Sequence, residues 1–212
     1  MSMKKNYGLM LEETLKELET KGSRPSLLLH ACCAPCSSYV LEYLADRFDL
    51  TLFFYNPNID PEEEYRFREQ ELCRLVADMG RADRVRIINA PYIPEEFSAI
   101  AEGLEDEAEG GSRCKRCYRL RLARTAEEAN LGGFDFFTTT LSISPYKNAE
   151  WLNEIGKEEA DAHGVSYLFS DFKKKNGYKR SCELSLEYGL YRQDYCGCIY
   201  SKRAAEKRKE TP

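Results

Sequence analysis

The sequence predicts an α/β fold in which helices cover both faces of a parallel sheet. Short apolar or β-branched runs alternate with longer runs of helical periodicity along the chain. Prolines and glycines that favour helix ends lie between these runs. This alternation is typical of parallel sheets built from strand–helix units.

The size of the chain favours one domain. A chain of 212 residues with 42 % hydrophobic residues can bury a sizeable core without disulfide bonds. No internal repeat, low-complexity tract or convincing linker divides it. We therefore expect residues 1–212 to form a single α/β domain with a helical C-terminal segment.

Five short runs are the candidate strands, because they are apolar or β-branched and too short for helices. In chain order they cover residues 26–30, 50–55, 85–89, 134–139 and 165–169. Each is followed by a polar or proline-containing loop that leads into a helical run. We expect these strands to be parallel, because a helix separates each from the next.

Eight longer runs are the candidate helices, and several have recognisable ends. They cover residues 8–20, 37–48, 61–79, 94–103, 114–130, 148–163, 179–189 and 199–209. Ser37 is the expected N-cap of the second helix, and Pro61 precedes three glutamates in a first helical turn. The expected C-terminal glycines are Gly80, Gly132 and Gly164.

Cysteine usage and hydropathy predict a cytoplasmic protein. The chain has nine cysteines, an odd number, and its N-terminal segment is too highly charged for a signal peptide. No run reaches the roughly 18 apolar residues of a membrane span, so we expect no membrane partner. In a reducing compartment, clustered cysteines more often bind metal or do redox chemistry than form disulfides.

Charge is distributed unevenly, although the net charge is −5. Residues 1–112 contain 12 Lys and Arg against 22 Asp and Glu, whereas residues 113–212 contain 19 against 14. The positive charge is concentrated at 113–124, 173–180 and 202–209. Each cluster alone could be a solvated helix face, but three of them favour a surface that binds a polyanion.

Unusual residues collect in the loops that follow the predicted strands. The loops contain HACCAPC, YNPNIDP, NAPYIPEEF, TTLSISPYKN and SDFKKKNGYKR, in that order. In an open parallel sheet, ligands bind beyond the carboxyl ends of the strands. We call this edge the rim. The sequence predicts a Rossmann-like (HUP-like) sheet with a metal site at this C-terminal rim.

Seven cysteines occur in three short motifs that suit metal ligation. They are Cys32, Cys33, Cys36, Cys114, Cys117, Cys196 and Cys198. A CxxC motif in a first helical turn favours thiolates, and Gly197 allows the two cysteines of CGC to face one centre. A CxxC alone could be a redox pair or half a zinc site. Seven thiols exceed one zinc site and suit an iron-sulfur cluster with a second metal nearby.

The adjacent pair, Cys32 and Cys33, is expected to point apart and thereby to serve two neighbouring centres. Cys73 and Cys182 stand alone in predicted helices, and we expect them in the core. His30 continues a buried strand and is expected to be packed and hydrogen-bonded. His163 precedes Gly164 and is expected to cap the last turn of its helix.

Five segments, in the same order, closely resemble the cobalamin-independent epoxyqueuosine reductases. They are HACCAPC, FYNPNIDPEEEYRFR, RCKRCYRLRLARTAEEA, FTTTLSISPYKN and YRQDYCGC. The resemblance implies an iron-dependent enzyme of queuosine biosynthesis that reduces epoxyqueuosine in a tRNA anticodon to a cyclopentene and water. It also implies a 4Fe-4S cluster, an adjacent mononuclear iron and an external electron donor, with the seven cysteines as ligands. Some members carry an aspartate where this chain has Cys36.

Residues beside the rim motifs are the candidates for catalysis and substrate binding. Asp194, Tyr195 and Tyr146 are candidate proton donors, since the departing epoxide oxygen must be protonated. Candidate substrate-binding residues are Asn56, Lys147, Arg192, Gln193, Lys174, Lys175 and Lys179. The lysines belong to a basic cluster that would face tRNA phosphates.

Three other functions remain open at the level of sequence. A zinc-binding RNA-binding module would explain thiols and basic clusters without catalysis. A cluster-dependent tRNA-thiolating enzyme is a second possibility, although HACCAPC stands where a phosphate-binding loop would follow the first strand. A heterodisulfide-reductase-like electron-transfer subunit also uses paired cysteines. Metal analysis, ATP dependence and tRNA dependence separate these alternatives.

Overall fold

The computed structural model describes residues 5–210, without the side chain of Glu210. The first four residues of the charged N-terminal segment and the last two residues of the chain lie outside this description. None of the helices in the described part is both long and apolar enough to cross a membrane.

All five predicted strands are present and parallel. They are β1 (Ser26–His30), β2 (Asp49–Phe54), β3 (Arg86–Asn89), β4 (Phe136–Thr139) and β5 (Ser166–Tyr167). The sheet order is β3-β2-β1-β4-β5, with β1 at the centre. The prediction of an α/β fold with a parallel sheet flanked by helices is therefore confirmed.

All eight predicted helices are present too. They are α1 (Tyr7–Thr20), α2 (Ala34–Leu44), α3 (Glu62–Asp78), α4 (Pro94–Ala101), α5 (Ser112–Leu131), α6 (Ala149–His163), α7 (Gly177–Glu187) and α8 (Ile199–Glu210). A 3-10 helix, Thr140–Ile143, lies in the loop after β4 and was not predicted.

β4 and β5 are shorter than expected because nearby polar groups take the backbone out of the sheet. The amide of Phe134 donates to the Ala129 carbonyl, and that of Asp135 donates to the Ser26 hydroxyl. At the end of β5, the Leu168 carbonyl accepts from the Thr138 hydroxyl at 2.8 Å. These hydrogen bonds replace the ladder that a longer strand would need.

The second helix starts earlier than expected, and Ser37 is not its N-cap. Cys33 occupies the N-cap position, and the helix begins at Ala34 with Pro35 in its first turn. Proline is favoured there because its missing N–H would be unpaired anyway. Ser37 lies inside the helix and donates to the Cys33 carbonyl at 2.8 Å. The expected helix ends at Pro61, Gly132 and Gly164 are confirmed, and Gly80 follows directly after the C-cap of α3.

Helix α7 begins at Gly177, two residues before the predicted start. A Cβ atom at this position would lie 2.0 Å from the Phe172 carbonyl oxygen and 2.6 Å from the Tyr39 ring. Only glycine allows this close approach of the α7 backbone to the loop after β5 and to α2.

Apolar side chains fill both faces of the sheet. Along β1, Leu27 and Leu29 point to the face covered by α1, α2 and α3, whereas Leu28 points to the face covered by α5 and α6. A third apolar cluster joins α4, α5 and the start of α8, and it contains Cys117 and Cys198. The helices thus bring segments far apart in the sequence to one end of the sheet.

The chain leaves the central strand in two directions. It runs from β1 to β2 and β3 on one side, and later to β4 and β5 on the other. The loops after β1 and β4 consequently diverge and leave a crevice between them. Such crevices are the usual ligand sites of open parallel sheets.

Candidate metal centre and its cavity

A cavity of about 410 Å³ lies at this crevice. Its walls come from the loops after β1, β2 and β4, from α7, and from the segment before α8. The loops after β1 and β4 are joined at Thr140, whose Oγ1 accepts from the Cys32 amide at 3.3 Å and lies 3.4 Å from Cys32 Sγ. The first cysteine of HACCAPC is thereby fixed at the junction of the two strands.

Three cysteines meet in this cavity. The Sγ atoms of Cys32, Cys33 and Cys36 all lie within 4.8 Å of one another. The expectation that Cys32 and Cys33 point apart is wrong, because their sulfurs are 3.8 Å apart. The strand gives way to α2 at Cys33, and this change of backbone direction brings both sulfurs to one side.

The three thiols influence one another strongly. Hydrogen bonds from the Cys32 and Cys36 thiols, together with the charge of Arg68, lower the pKa of Cys33. The hydrogen bond to Cys33, together with burial, raises the pKa of Cys32 to about 11. Hydrogen bonds to Cys32 and Cys33, together with burial, raise the pKa of Cys36. Cys33 is therefore the thiol most readily deprotonated, and metal binding requires the thiolate form.

The other four cysteines line a second, smaller cavity that adjoins the first. They are Cys114, Cys117, Cys196 and Cys198. Cys196 lines both cavities, so one sulfur faces both groups. Burial raises the pKa of Cys117 to about 11 and also raises that of Cys198. The structure thus brings all seven predicted cysteines to two adjoining cavities.

Gly197 shapes the CGC segment as expected from the sequence. Its φ angle is +127°, which strains any residue with a side chain. A Cβ atom there would meet Ile59 at 3.0 Å and the Arg68 guanidinium at 3.1 Å. Arg68 in turn donates to the Cys196 carbonyl at 3.1 Å, which fixes the segment against α3.

Buried cations surround the cysteines. Arg121 is 2 % exposed and lines both cavities, and its Nη2 has no hydrogen-bond partner in the described structure. Lys147 is 9 % exposed, and its Nζ lies 3.0 Å from both Cys196 Sγ and Glu109 Oε1. A buried cation without a partner is costly unless negative charge lies beside it. The residues present therefore fit an anionic metal–thiolate group.

The candidate proton donors line the cavity in different settings. Tyr195 is half-buried, with the Arg68 guanidinium 5.2 Å from its ring centre, and burial raises its pKa to about 12. Asp194 is exposed and pairs with Lys209 at 2.5 Å, which lowers the pKa of the carboxyl group. Tyr146 is 78 % exposed.

Four of the candidate substrate-binding residues line the cavity: Asn56, Lys147, Arg192 and Gln193. Asn56 is buried and donates to the carbonyl of Ala31 at 2.9 Å. The side-chain oxygen of Gln193 is buried without a partner. These polar groups are available to a ligand of the cavity.

The predicted lysines lie elsewhere. Lys174, Lys175 and Lys179 do not line either cavity. Lys175 pairs with Glu12 of α1, and Lys179 pairs with Glu183 at 3.9 Å. Much of the charge in this loop is thus balanced within the protein.

Sequence reasoning missed Arg121, Arg68 and Asn58. Asn58 is 2 % exposed, lines both cavities and has a side-chain oxygen without a hydrogen-bond partner. The available signal for Arg121 was its position one helical turn after Cys117, which places both on the same face of α5. We expected the cluster at 113–124 to form a charged surface, whereas Arg113 and Arg121 are buried.

The two histidines lie where the sequence predicts them, whereas the two isolated cysteines do not lie in the core. His30 is buried and hydrogen-bonded to Thr139 Oγ1 at 2.8 Å and to the Tyr55 carbonyl at 3.0 Å, as predicted. His163 lies in the last turn of α6, as expected. Cys73 is exposed, and the prediction of a core position is wrong, because α3 turns Leu72 and Leu75 inward instead. Cys182 is only partly buried.

Known proteins are similar to most of this chain. A family profile described as epoxyqueuosine reductase QueH matches residues 27–204. The chain is 43 % identical over 204 residues to epoxyqueuosine reductase QueH of Streptococcus pyogenes serotype M1. The matched region covers 95 % of this chain and 80 % of that protein. It is 41 % identical to the protein of that name in Staphylococcus epidermidis, over 94 % of this chain and 86 % of that one.

A third relative, epoxyqueuosine reductase QueH of Thermotoga maritima, is 36 % identical over 176 residues, or 83 % of this chain and 90 % of that protein. The family profile spans the described structure from the central strand to the first half of α8, including all seven clustered cysteines. The chain belongs to the epoxyqueuosine reductase QueH family.

Proposed function

We propose that this protein is an epoxyqueuosine reductase that acts on tRNA. It removes the epoxide oxygen of epoxyqueuosine in the anticodon, and two electrons and two protons convert the epoxide to an alkene and water. The observation that carries this proposal is the meeting of seven cysteines in two adjoining cavities where the loops after β1 and β4 diverge. The family to which the chain belongs supports the reaction.

The donor sets differ in a way that suits two kinds of metal group. Thiolates around one tetrahedral metal lie about 3.8 Å apart, given metal–sulfur bonds of about 2.3 Å. Cys32, Cys33 and Cys36 approach this spacing, and no other group of potential ligands in residues 5–209 lies as close together. We assign these three to a mononuclear iron. We assign the other four, which enclose a separate cavity, to a 4Fe-4S cluster.

The bound metals would supply single electrons and a Lewis acid for the epoxide oxygen, in an enzyme that needs no cobalamin. An external donor provides the electrons. The protein's own residues hold and orient the thiolates: Lys147 donates to Cys196, and Thr140 contacts Cys32. Arg121 offsets negative charge in both cavities.

Tyr195 is the proton donor that we propose for the departing oxygen. It lies in the cavity wall directly before Cys196, and the Arg68 guanidinium holds its ring. Asp194 is tied to Lys209, and Tyr146 lies at the solvent-exposed opening. Tyr195→Phe should keep the bound metal and the affinity for tRNA but lower the rate of reduction.

The sheet itself is part of this proposal. Five parallel strands in the order β3-β2-β1-β4-β5 support assignment to the Rossmann-like, HUP-like folds, with the metal site at the C-terminal rim. That assignment, like the single-domain organisation and the cytoplasmic location, remains a prediction.

The test is an anaerobic assay on tRNA that carries epoxyqueuosine, with a chemical reductant and reconstituted protein. Queuosine should form with the wild type, and Cys114→Ala should form none. No formation of queuosine by iron-loaded protein would refute this function, and ATP-dependent incorporation of sulfur into tRNA would favour the tRNA-thiolating enzyme instead. Full RNA binding by a colourless protein that contains only zinc would favour the non-catalytic RNA-binding module instead.

A further inference from the structure

The opening of the main cavity carries an exposed aromatic ring. Tyr146 is 78 % exposed and still lines the cavity, whereas its neighbour Lys147 is buried. The structure also exposes Leu9, Phe67, Ile93, Leu131, Leu186 and Tyr191. Among these large hydrophobic side chains of the described residues, Tyr146 alone lines the cavity. Its ring is therefore exposed at the edge of the cavity, within reach of an incoming ligand.

Two arginines stand at the same opening without a carboxylate partner. Arg192 and Arg208 both line the cavity, and neither forms an ion pair within 4.0 Å in the described structure. Arg192 only donates to the Ser185 hydroxyl at 3.0 Å. Arg208 belongs to α8, where Lys209 pairs with Asp194. These arginines keep their charge available to an incoming anion.

The basic loop at 173–180 behaves differently. Four of its five cations, Lys173, Lys175, Lys179 and Arg180, form ion pairs with Asp171, Glu12, Glu183 and Glu42. A cation already paired with a carboxylate gains less from a phosphate, because the existing pair must first be broken. The loop is thus a weaker site for a polyanion than the cavity opening.

We propose that Tyr146 stacks on an anticodon base at the cavity opening, while Arg192 and Arg208 contact the phosphates beside it. This inference rests on the proposed function, because it concerns how the tRNA of that reaction is held. Single-stranded RNA is recognised by stacking of unpaired bases on aromatic rings and by cations along the backbone. An exposed ring and two arginines without ion pairs, all lining one cavity, offer both contacts.

The proposal gives Tyr146 a binding role in place of proton donation. Stacking needs the ring and not the hydroxyl group, whereas a proton donor needs the hydroxyl group. Tyr146→Phe should therefore bind tRNA with the affinity of the wild type. Tyr146→Ala should weaken tRNA binding by roughly 5- to 150-fold, the range expected for one stacked base.

The arginines are tested by the salt dependence of tRNA affinity. The double substitution Arg192→Gln with Arg208→Gln should flatten the slope of log affinity against log salt by about 1.4, or about 0.7 for each contact with a single strand. The matched control replaces Lys174, Lys175 and Lys179 by Gln and should leave the slope close to that of the wild type. Iron and sulfide content, measured for every variant, should not change.

The results separate this inference from the proposed function. Wild-type protein that neither binds tRNA nor reduces epoxyqueuosine would refute the proposed function and this inference with it. With an active wild type, equal losses for Tyr146→Phe and Tyr146→Ala would overturn the stacking role, and so would no loss for Tyr146→Ala. An unchanged slope for the arginine variant, with a flattened slope for the lysine variant, would place the phosphate contacts on the 173–180 loop instead.

Discussion

Arg121 lies between the two groups of cysteines, and one nitrogen of its guanidinium has no hydrogen-bond partner in the described structure. Burial lowers the pKa of its guanidinium, whereas the neighbouring Cys117, Cys196 and Cys32 raise that pKa. Such a residue destabilises the metal-free protein, because burying a cation without a counter-charge costs free energy on folding. Its presence is understandable if the loaded site carries negative charge.

Replacing Arg121 by Met should therefore have opposite effects on the two forms. The metal-free protein should keep its stability or gain some, apart from about 1 kcal/mol for the lost hydrogen bond to the Cys117 carbonyl. The loaded protein should hold its cluster less tightly and show a more negative reduction potential, since a nearby positive charge favours the reduced form. Denaturant unfolding and an anaerobic redox titration measure the two effects.

Arg119→Met is the matched control on the same helix. Arg119 is half-exposed and pairs with Glu158 and Glu159 of α6, away from the cysteines. Its loss should leave the potential unchanged. A potential that shifts equally in both variants would show that Arg121 has no special relation to the metal.

The nine cysteines also separate at the level of single residues. Cys196→Ala should lose metal and activity together, because its sulfur faces both cavities. Cys73→Ala should keep both and change the free energy of unfolding by no more than about 0.5 kcal/mol, since Cys73 is exposed. Metal analysis and unfolding curves of the two variants decide the point. Loss of the cluster from Cys73→Ala alone would show that the ligands are assigned wrongly.

At the level of elements, a polar clamp joins the N-terminal ends of the two central strands. The Asp135 carboxylate, just before β4, accepts from the amide and the hydroxyl of Ser26 at 2.8 and 2.7 Å. Ser26 Oγ accepts in return from the Asp135 amide at 2.9 Å. The clamp fixes β4 beside β1 from the end opposite the cysteine-lined cavities, and it thereby positions the loops that carry Cys32 and Thr140.

Loss of this clamp should be visible in the pH dependence of stability. The hydrogen bonds from Ser26 lower the pKa of Asp135 below its ordinary value of 3.8. A depressed pKa contributes stability above pH 3.8, and this contribution disappears as the pH falls through the pKa of the folded state. Asp135→Ala should cost about 1 kcal/mol at pH 6 and less near pH 2. Urea unfolding at both pH values tests this.

The control for the clamp is Asp83→Ala, since Asp83 is exposed and has no side-chain hydrogen bond or ion pair in the described structure. It should change stability little at either pH. If Asp135→Ala cost the same at pH 6 and pH 2, the carboxylate charge would have no part in the clamp.

At the scale of the whole molecule, the metal content distinguishes the proposed enzyme from a zinc protein. One cubane cluster and one further iron amount to about five irons and about four sulfides per chain. Protein reconstituted without oxygen should be brown and approach these values. Iron and acid-labile sulfide analysis is the measurement, and a single zinc in a fully active protein would contradict it.

Local chemistry explains why the sequence alone predicted so much of the fold. Strand and helix periodicity is set by neighbouring residues, and all five strands and eight helices follow it within a few positions at each end. Clustered thiols predict metal binding, because the number of cysteines and the preference of sulfur for soft metals can be read from the residues themselves. The error at Ser37 arose because α2 begins earlier, at Ala34 with Pro35 in its first turn. The errors at β4 and β5 arose where a side chain hydrogen-bonds to a backbone group at the end of the strand.

The sequence by itself determined the order of the elements, the seven candidate ligands and the family. Only the tertiary structure decided that Cys32 and Cys33 face one cavity, that Arg121 is buried between the sulfurs, and that Tyr146 stands at the opening. It also decided which cations are paired within the protein. For Cys32 and Cys33 the reason is the turn of the backbone at Cys33, where β1 gives way to α2. For the others it is separation along the chain: contacts such as Cys32 with Thr140 and Lys175 with Glu12 join residues more than 100 positions apart and depend on how helices pack on the sheet, which no local pattern encodes.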